Sequence, residues 1–469
     1  MQAQGDVQPG QPEGTMRPRT GHLRWGIAVL LGVGILINYF DRVNLTVATK
    51  PIEQDFHLSA TEMGVLLSAY LWTYVLLQIP VGAMLDKIGV KWLMRVGTLL
   101  WSIASFMTAI VSGLGLVFVA RLILGIGEAP AFPGSSKATG YWFPMRERGL
   151  ATSAFDAAAK FSNVIGLPLI ALIVTLYGWQ AGFVFTGILS LLYFIVFWIL
   201  YRDPKENKLL SPVEYTYIKE GGAQQEETAT ESSSWKDVGI NLLFLLRQKK
   251  VWALTLGFTA YGYSFYLFLS WLPGYLETQL HLSILKSGLY SIVPWAVATL
   301  TDIFIGGYLV DALIKRGHDP TRVRKTLVAI GLLLGIAVIG AAFTRDAIVA
   351  TIWISIALGG LAFAAPIGWS LPSLVAPKGT VGTVGAIMNF FNNGAGIVAP
   401  IVAGIVIDRT GSFALNFIIA AIILVIGILC YLLLLGKIEQ IQWPDYMHRE
   451  NRDLTAETEN PPAVDKRTA

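Results

Sequence analysis

Twelve stretches of about 20 apolar residues recur along this chain, the length a helix needs to cross the hydrocarbon of a bilayer. They begin near Trp25, Met63, Lys91, Leu116, Gly149, Gln180, Val251, Ser287, Val323, Ala347, Val381 and Phe413. Inside a bilayer every backbone N–H and C=O must find its partner within the protein, so only helices and closed barrels cross. Runs this long and this continuously apolar are helices, and the chain is expected to be an all-α membrane protein. Composition agrees. The chain is 54% hydrophobic and 14% charged, with a mean hydropathy of +0.58, whereas soluble domains carry about 25% charged residues.

The net charge of +4 is modest and points to no nucleic acid. Cys430 is the single cysteine, so an intrachain disulfide is impossible. The N-terminus is polar and its first apolar run is long enough to span, which argues against a cleavable signal peptide. If both termini are cytoplasmic, the outer loops hold only Lys50, Lys286, Arg345 and Arg409, while Arg42, Arg121 and Lys160 fall inside spans. The remaining Lys and Arg then lie on the cytoplasmic side, which is the orientation the positive-inside rule demands.

A polar stretch over about 202–250 divides the spans six and six. Its run Gln224-Gln225-Glu226-Glu227-Thr228 through Ser234 cannot bury a core and should be disordered or loosely helical. The expected organisation is a tail over 1–22, a six-helix bundle over 23–201, the linker, a second bundle over 251–437 and a tail over 438–469. The halves share a signature: Gly82 to Asp86-Lys87 with Gly89 and Lys91, and Gly307 to Asp311 with Lys315-Arg316-Gly317. Asp86, Lys87 and Asp311 are gating candidates, making pairs that break as the halves rock; a plain topology anchor is the other reading. A third match, Gly404 to Asp408-Arg409-Thr410-Gly411, falls on the outer side and is taken as coincidence.

Burying a charge in hydrocarbon costs about 2.5–3.5 kcal/mol even on mild insertion scales, so the charges inside the spans need a reason. Arg42 lies in the outer half of the first span, beside Asp41; Arg121 and Glu128 lie two helical turns apart in the fourth. A guanidinium fits a carboxylate and stays charged. A carboxylate can gain and lose a proton, and every His falls in a tail, a loop or a span end. Asp41 and Glu128 are therefore the proton-carrying candidates, with Arg121 tuning Glu128 or closing the outer side. A permanent structural pair of Arg42 with Asp41 or Glu128 is the plainer alternative. Asp156 and Lys160 stand at i and i+4 in the fifth span. They are either a self-neutralising pair or the source of a second cation facing the cavity, which would suit a dicarboxylate. Asp302 could serve ion coupling or simply accept a hydrogen bond. Asn389, Asn392 and Asn393 offer donors and acceptors suited to hydroxyls.

The stretches Asn38-Tyr39-Phe40-Asp41-Arg42, Glu128-Ala129-Pro130-Ala131-Phe132-Pro133, Trp142-Phe143-Pro144 and Gly368-Trp369-Ser370, on a six-plus-six layout, resemble the major facilitator superfamily and within it the anion:cation symporter family. That resemblance implies two pseudo-symmetric six-helix bundles around a midplane site. It also implies that Arg42 holds the substrate carboxylate, that Trp369, Ser370 and Asn389 line the cavity, and that Tyr39, Tyr74 and Gln78 contribute from the first half. Asn393, one turn from Asn389, is a further candidate contact on its own chemistry, and so is Lys160, where the chain departs from the family, whose members more often carry uncharged polar residues in that region. The expected activity is uptake of a small organic anion, such as a hexonate, glucarate or hexuronate, together with H⁺ across a bacterial inner membrane, with both termini cytoplasmic. The partners are the anion, the proton and the lipid bilayer; monomer is the default for this scaffold. No metal-binding spacing, nucleophile elbow or phosphate loop is present, so no cofactor, no metal and no enzyme activity are expected. The alternatives are an exchanger of organic anions, a sodium-coupled carrier and, more distantly, a non-transporting sensor.

Overall fold

Glycine and proline punctuate the apolar runs into antiparallel helices. The computed structural model describes residues 21–223, 242–377 and 380–442. Spans 1 to 6 are Leu23–Val47, Ala60–Ile88, Val90–Ile110, the broken pair Leu114–Glu128 and Ala131–Trp142, Met145–Tyr177, and Trp179–Leu200. Spans 7 to 12 are Lys249–Thr278, Ile284–Thr301 with its continuation to Lys315, Pro320–Gly335 extended to Ala342, Ala347–Val375, Val381–Thr410 and Ala414–Leu429. Eleven of these helices, counted among the described residues, are long and apolar enough to cross a membrane. The twelfth of the expected set is span 7, 30 residues long, whose Tyr, Ser, Thr and Gly dilute its apolarity. Such residues are affordable because span 7 is buried along nearly its whole length, against spans 10, 11, 12 and 1.

The two bundles repeat one packing plan. Span 1 packs on span 5 as span 7 packs on span 11, and span 2 packs on span 4 as span 8 packs on span 10. Two long seams join the bundles, span 2 against span 11 and span 5 against span 8. Both described chain ends share one end of the molecule with the basic loops, called here the basic end; the other is the far end.

At the far end the seams start alike. His57-Leu58-Ser59 leads into span 2 and His281-Leu282-Ser283 into span 8. Both histidines take the left-handed backbone, each with φ 53°, which turns the chain sharply. Both serines then cap their helices, accepting from Glu62 N at 3.2 Å and Lys286 N at 3.4 Å. Five residues on, Gly64 lies against the Pro400 carbonyl of span 11, and Gly288 against span 5, where an added Cβ would sit 3.0 Å from the Leu167 carbonyl and 2.6 Å from Ala171 Cβ. Only glycine allows helices this close.

Asp408 closes the far end. Its carboxylate accepts from Ala60 N at 2.9 Å, Thr61 N at 2.8 Å and the Thr61 hydroxyl, so a residue of the second bundle caps the N-terminus of span 2 in the first. The residues of the Gly404–Gly411 stretch have a contact of their own: Gly404 lies against the Ala60 carbonyl, and Asp408 holds the N-terminus of span 2. Thr46 adds a bond to the Leu269 carbonyl at 3.2 Å between spans 1 and 7.

The linker is ordered at its start. Ser211 caps a helix over Pro212–Glu220, and Glu214 accepts from the Leu23 and Arg24 amides and from the Arg24 guanidinium at 3.0 Å. Arg24 also pairs with Glu147 at 2.8 Å. The Gln224–Ser234 run lies outside the described residues, as do both polar tails except for residues 21 and 22 and 438–442.

Candidate functional site

Span 4 breaks at Ala129-Pro130, because proline cannot supply the next helical N–H. That break leaves Glu128 as the last residue of its helix segment, fully buried. A carboxylate there meets the negative end of the helix dipole, so it needs a cation. Arg42 supplies it: its Nε donates to Glu128 Oε2 at 2.9 Å, and both side chains are sealed from solvent. Of the two structural partners open to Arg42, the structure selects Glu128. Asp41, one residue earlier and therefore about 100° round the helix, points the other way. It accepts from Ser105 of span 3 at 2.5 Å and Ser190 of span 6 at 3.0 Å.

The Arg42 guanidinium is caged by aromatic faces, with the rings of Tyr39, Tyr70 and Tyr74 at 4.6, 4.9 and 5.3 Å. Cation–π attraction of this kind contributes about 2 kcal/mol or more per contact once water is excluded. Arg121 stands behind, 5.4 Å from the same Tyr70 ring, and donates to the Asp41 carbonyl at 3.2 Å. Arg42 Nη2 and Glu128 Oε1 are buried with no hydrogen-bond partner among the described residues. The pair thus keeps one donor and one acceptor free.

A second cluster bridges the bundles on the seam of spans 2 and 11. Asn389 Nδ2 donates to Gln78 Oε1 at 2.9 Å, Asn393 Nδ2 to Asn389 Oδ1 at 3.1 Å, and the Tyr266 hydroxyl to Asn393 Oδ1 at 2.7 Å. Amide groups spaced one turn apart on span 11 form this row, and Tyr266 from span 7 ends it. In a tyrosine-rich helix an aromatic most often only packs, but the Tyr266 hydroxyl is bonded into the row.

A third cluster bridges the bundles on the other seam. Lys160 of span 5 donates to Asp156 Oδ2 at 2.9 Å on its own helix and to Asp302 Oδ2 at 2.6 Å on span 8. The helical pair expected at Asp156 and Lys160 is present, and Asp302 is drawn into it. Asp302 opens a π-helical stretch, Asp302–Leu309, inside span 8; wide turns of this kind often mark functional positions. Tyr39 links the clusters: its ring meets Phe132 at 6.2 Å, and Phe132 meets Phe155, the neighbour of Asp156, at 6.0 Å.

A family model described as Major Facilitator Superfamily matches residues 31–400. The chain belongs to the major facilitator superfamily. It is a multi-pass membrane transporter and not an enzyme. A Bacillus subtilis protein named as an uncharacterized transporter, YybO, is 42% identical over 425 residues, which are 90% of this chain and 97% of that protein. An Escherichia coli protein named a probable L-galactonate transporter is 31% identical, covering 92% of this chain and 93% of its own length. A B. subtilis protein named a probable galactarate/D-glucarate transporter is also 31% identical, over 89% and 93%. Among solved structures, an inward-facing bacterial homologue of the lysosomal transporter Spinster superposes with a TM-score of 0.72 at 17% identity, covering 88% of this chain and 97% of that one. A D-xylose–proton symporter gives 0.67 at 15% identity, over 89% and 99%. Those two likenesses show the shared fold.

The other sequence-singled residues of this transporter are spread more widely. Trp369 is half-exposed and packs edge-on to Phe258 at 4.9 Å, and the Ser370 hydroxyl is taken by the Ile367 carbonyl at 2.7 Å. Lys87 is exposed at the basic end. The side chains of Asp86 and Asp311 lie outside the described residues. Tyr70 is absent from the sequence-based candidates, and Asp408 is set aside among them. Tyr70 stands one turn before Tyr74, a spacing that puts both rings on one face of span 2. Asp408 bears the same Gly-to-Asp spacing as the loop signature.

Proposed function

We propose that this transporter takes up a small organic anion, a sugar acid, together with H⁺ by alternating access. The observation that carries the reading is the buried Arg42–Glu128 pair with its two free valences. Arg42, Arg121, Asp41 and Glu128 together sum to zero charge. A proton on Glu128 frees Arg42 and leaves one positive charge, which one substrate carboxylate neutralises. Arg42 therefore exchanges one carboxylate partner for another, and substrate and proton travel together because each makes room for the other. Asp41, held by two hydroxyls, is the second proton-carrying candidate, and Arg121 sets the field around both. Tyr39 and Tyr74 present Arg42, while Gln78, Asn389 and Asn393 offer hydrogen bonds to hydroxyls, with Trp369 and Ser370 on the wall beyond. The names of the 31%-identical relatives, galactonate and galactarate/glucarate transporters, support a sugar acid.

The sealed far end corresponds to the outer face, by the distribution of Lys and Arg, and the termini are cytoplasmic in the inner membrane of a bacterium. Asp86, Lys87 and Asp311 act at the cytoplasmic gate. The protein works as a monomer, since each bundle pair contains one site.

The test is uptake into proteoliposomes with an imposed inward proton gradient, using labelled galactonate, glucarate and glucuronate, with and without uncoupler. Accumulation that collapses with uncoupler is expected. Accumulation driven by a sodium gradient instead would remove the proton from the proposal. Arg42→Ala should abolish substrate binding. Glu128→Gln should abolish net uptake while substrate exchange survives; loss of both would overturn the separate role given to Glu128.

A further inference from the structure

Lys160 is the obvious second cation for a doubly charged substrate, but its ammonium is already shared. Asp156 and Asp302 hold it at 2.9 and 2.6 Å, so the triad carries a net charge of −1. What it leaves free is acceptor capacity. Asp302 Oδ1 is buried without a hydrogen-bond partner among the described residues, in a residue only 9% exposed. Asp156 keeps 53% of its side chain exposed. Carboxylate oxygens in need of donors suit hydroxyls and repel a carboxylate.

The triad stands on the seam opposite the amide row, joined to the Arg42 cage by the ring contacts of Tyr39, Phe132 and Phe155. It bridges spans 5 and 8 as the Gln78–Asn389 bond bridges spans 2 and 11. A sugar acid with its carboxylate on Arg42 would lie with its body between the neutral amides of one seam and the anionic triad of the other.

We infer that the Asp156–Lys160–Asp302 triad is a specificity filter that accepts a hydroxyl-bearing end and rejects a second carboxylate, so that the substrate class is the monoanionic sugar acids (aldonates and uronates) and not the dianionic aldarates. This rests on the sugar-acid reading of the Arg42 site. It separates this chain from those relatives named as galactarate/D-glucarate transporters.

Galactonate and galactarate share a carbon skeleton and differ at one end, CH₂OH against COO⁻; gluconate and glucarate form a second such pair. Inhibition constants for each pair would be measured on the full-length protein in proteoliposomes at neutral pH, where an aldarate is a dianion. Wild type is expected to favour the aldonate of each pair by tenfold or more. Asp302→Asn removes the net negative charge and should narrow that preference by about tenfold, chiefly through tighter aldarate binding. Asp156→Asn, at the exposed member, should do the same and serves if the buried variant fails to fold. Equal affinity of wild type within each pair, or an unchanged preference in both variants, would overturn the filter and leave the sugar-acid reading standing. Failure of wild type to bind any of the four acids would overturn that reading, and the filter with it.

Discussion

The two seams that join the bundles have the same frame and opposite chemistry. Each begins with a left-handed His, a capping Ser and a Gly pressed against a partner helix, at Pro400 in one case and at Leu167 and Pro168 in the other. Fourteen residues beyond each Gly stands a cross-bundle bonding residue, Gln78 on one seam and Asp302 on the other. The first makes a neutral amide bond to Asn389, the second an ion pair to Lys160. Among the described residues only the first carries a latch like Asp408; on the other seam the residue eight beyond Pro168 is the apolar Leu176. A repeated packing plan fixes where helices touch, and side chains at matched positions are then free to divide the labour. One seam is built to lock, the other to discriminate by charge.

That contrast can be broken most sharply at Lys160. Lys160→Ala leaves Asp156 and Asp302 facing each other with no cation, and stranding one partner of a buried pair costs about 3–5 kcal/mol. Gln78→Ala forfeits one neutral hydrogen bond, about 1 kcal/mol. Melting temperatures in one detergent should fall several times further for Lys160→Ala, and equal losses would show that the seams are energetically alike. Next in size are the glycines. Gly64→Ala and Gly288→Ala each force a methyl into backbone or side chain across the seam, at about 1–3 kcal/mol for overpacking. Each should shift the protein toward an open far end, read as increased solvent labelling of a cysteine placed at Thr61 or at Ser287 respectively. Equal labelling at both sites in both variants would mean that the seams open as one.

Asp408→Ala should cost about 1 kcal/mol, the usual price of a lost N-cap, and raise the far-end-open population roughly fivefold; Leu176→Ala should leave it unchanged. Spin labels at Leu114 and Arg345 would measure both. The smallest effect is on pH. Burial, and then the like charges of Asp408 and Glu277, push the Glu53 carboxyl from its ordinary 4.5 up to about 7, with Lys50 opposing. A carboxyl whose pKa is raised in the closed form binds its proton more tightly there. Closure is therefore favoured while Glu53 is protonated, and that contribution is lost as pH rises from about 4.5 through about 7. The same label distance should lengthen over this window, and Glu53→Gln should flatten the response.

Much of this molecule was legible in its sequence. Apolar run length gave the spans and the two halves, and charges placed against the cost of burial led to Arg42, Glu128 and Lys160. What failed was pairing at a distance. Asp41 and Glu128 were equal candidates for Arg42 because the choice depends on which way span 1 is rotated and on where span 4 breaks. Lys160 was seen with its helical neighbour Asp156, whereas Asp302, 142 residues away, is invisible to any local pattern. Asp408 was dismissed because its spacing copies a loop signature at the wrong end; its role exists only when two bundles meet. The seam repeat is in plain view as His-Leu-Ser, yet three residues acquire meaning only when both copies are seen to turn, cap and pack alike.

The wide turn at Asp302 falls where the two halves differ in length. Counting from Gly64, Gly82 and Asp86 follow at 18 and 22 residues; counting from Gly288, Gly307 and Asp311 follow at 19 and 23. The second half holds one residue more, and the interval that holds it, between Asp302 and Gly307, lies within the π-helical stretch. An extra residue in a regular helix would turn everything after it by about 100°. A π-helical turn takes up one extra residue, so the helix can run on past Asp302 without that rotation. The wide turn thus lets the second half carry one residue more than the first without rotating the rest of its helix.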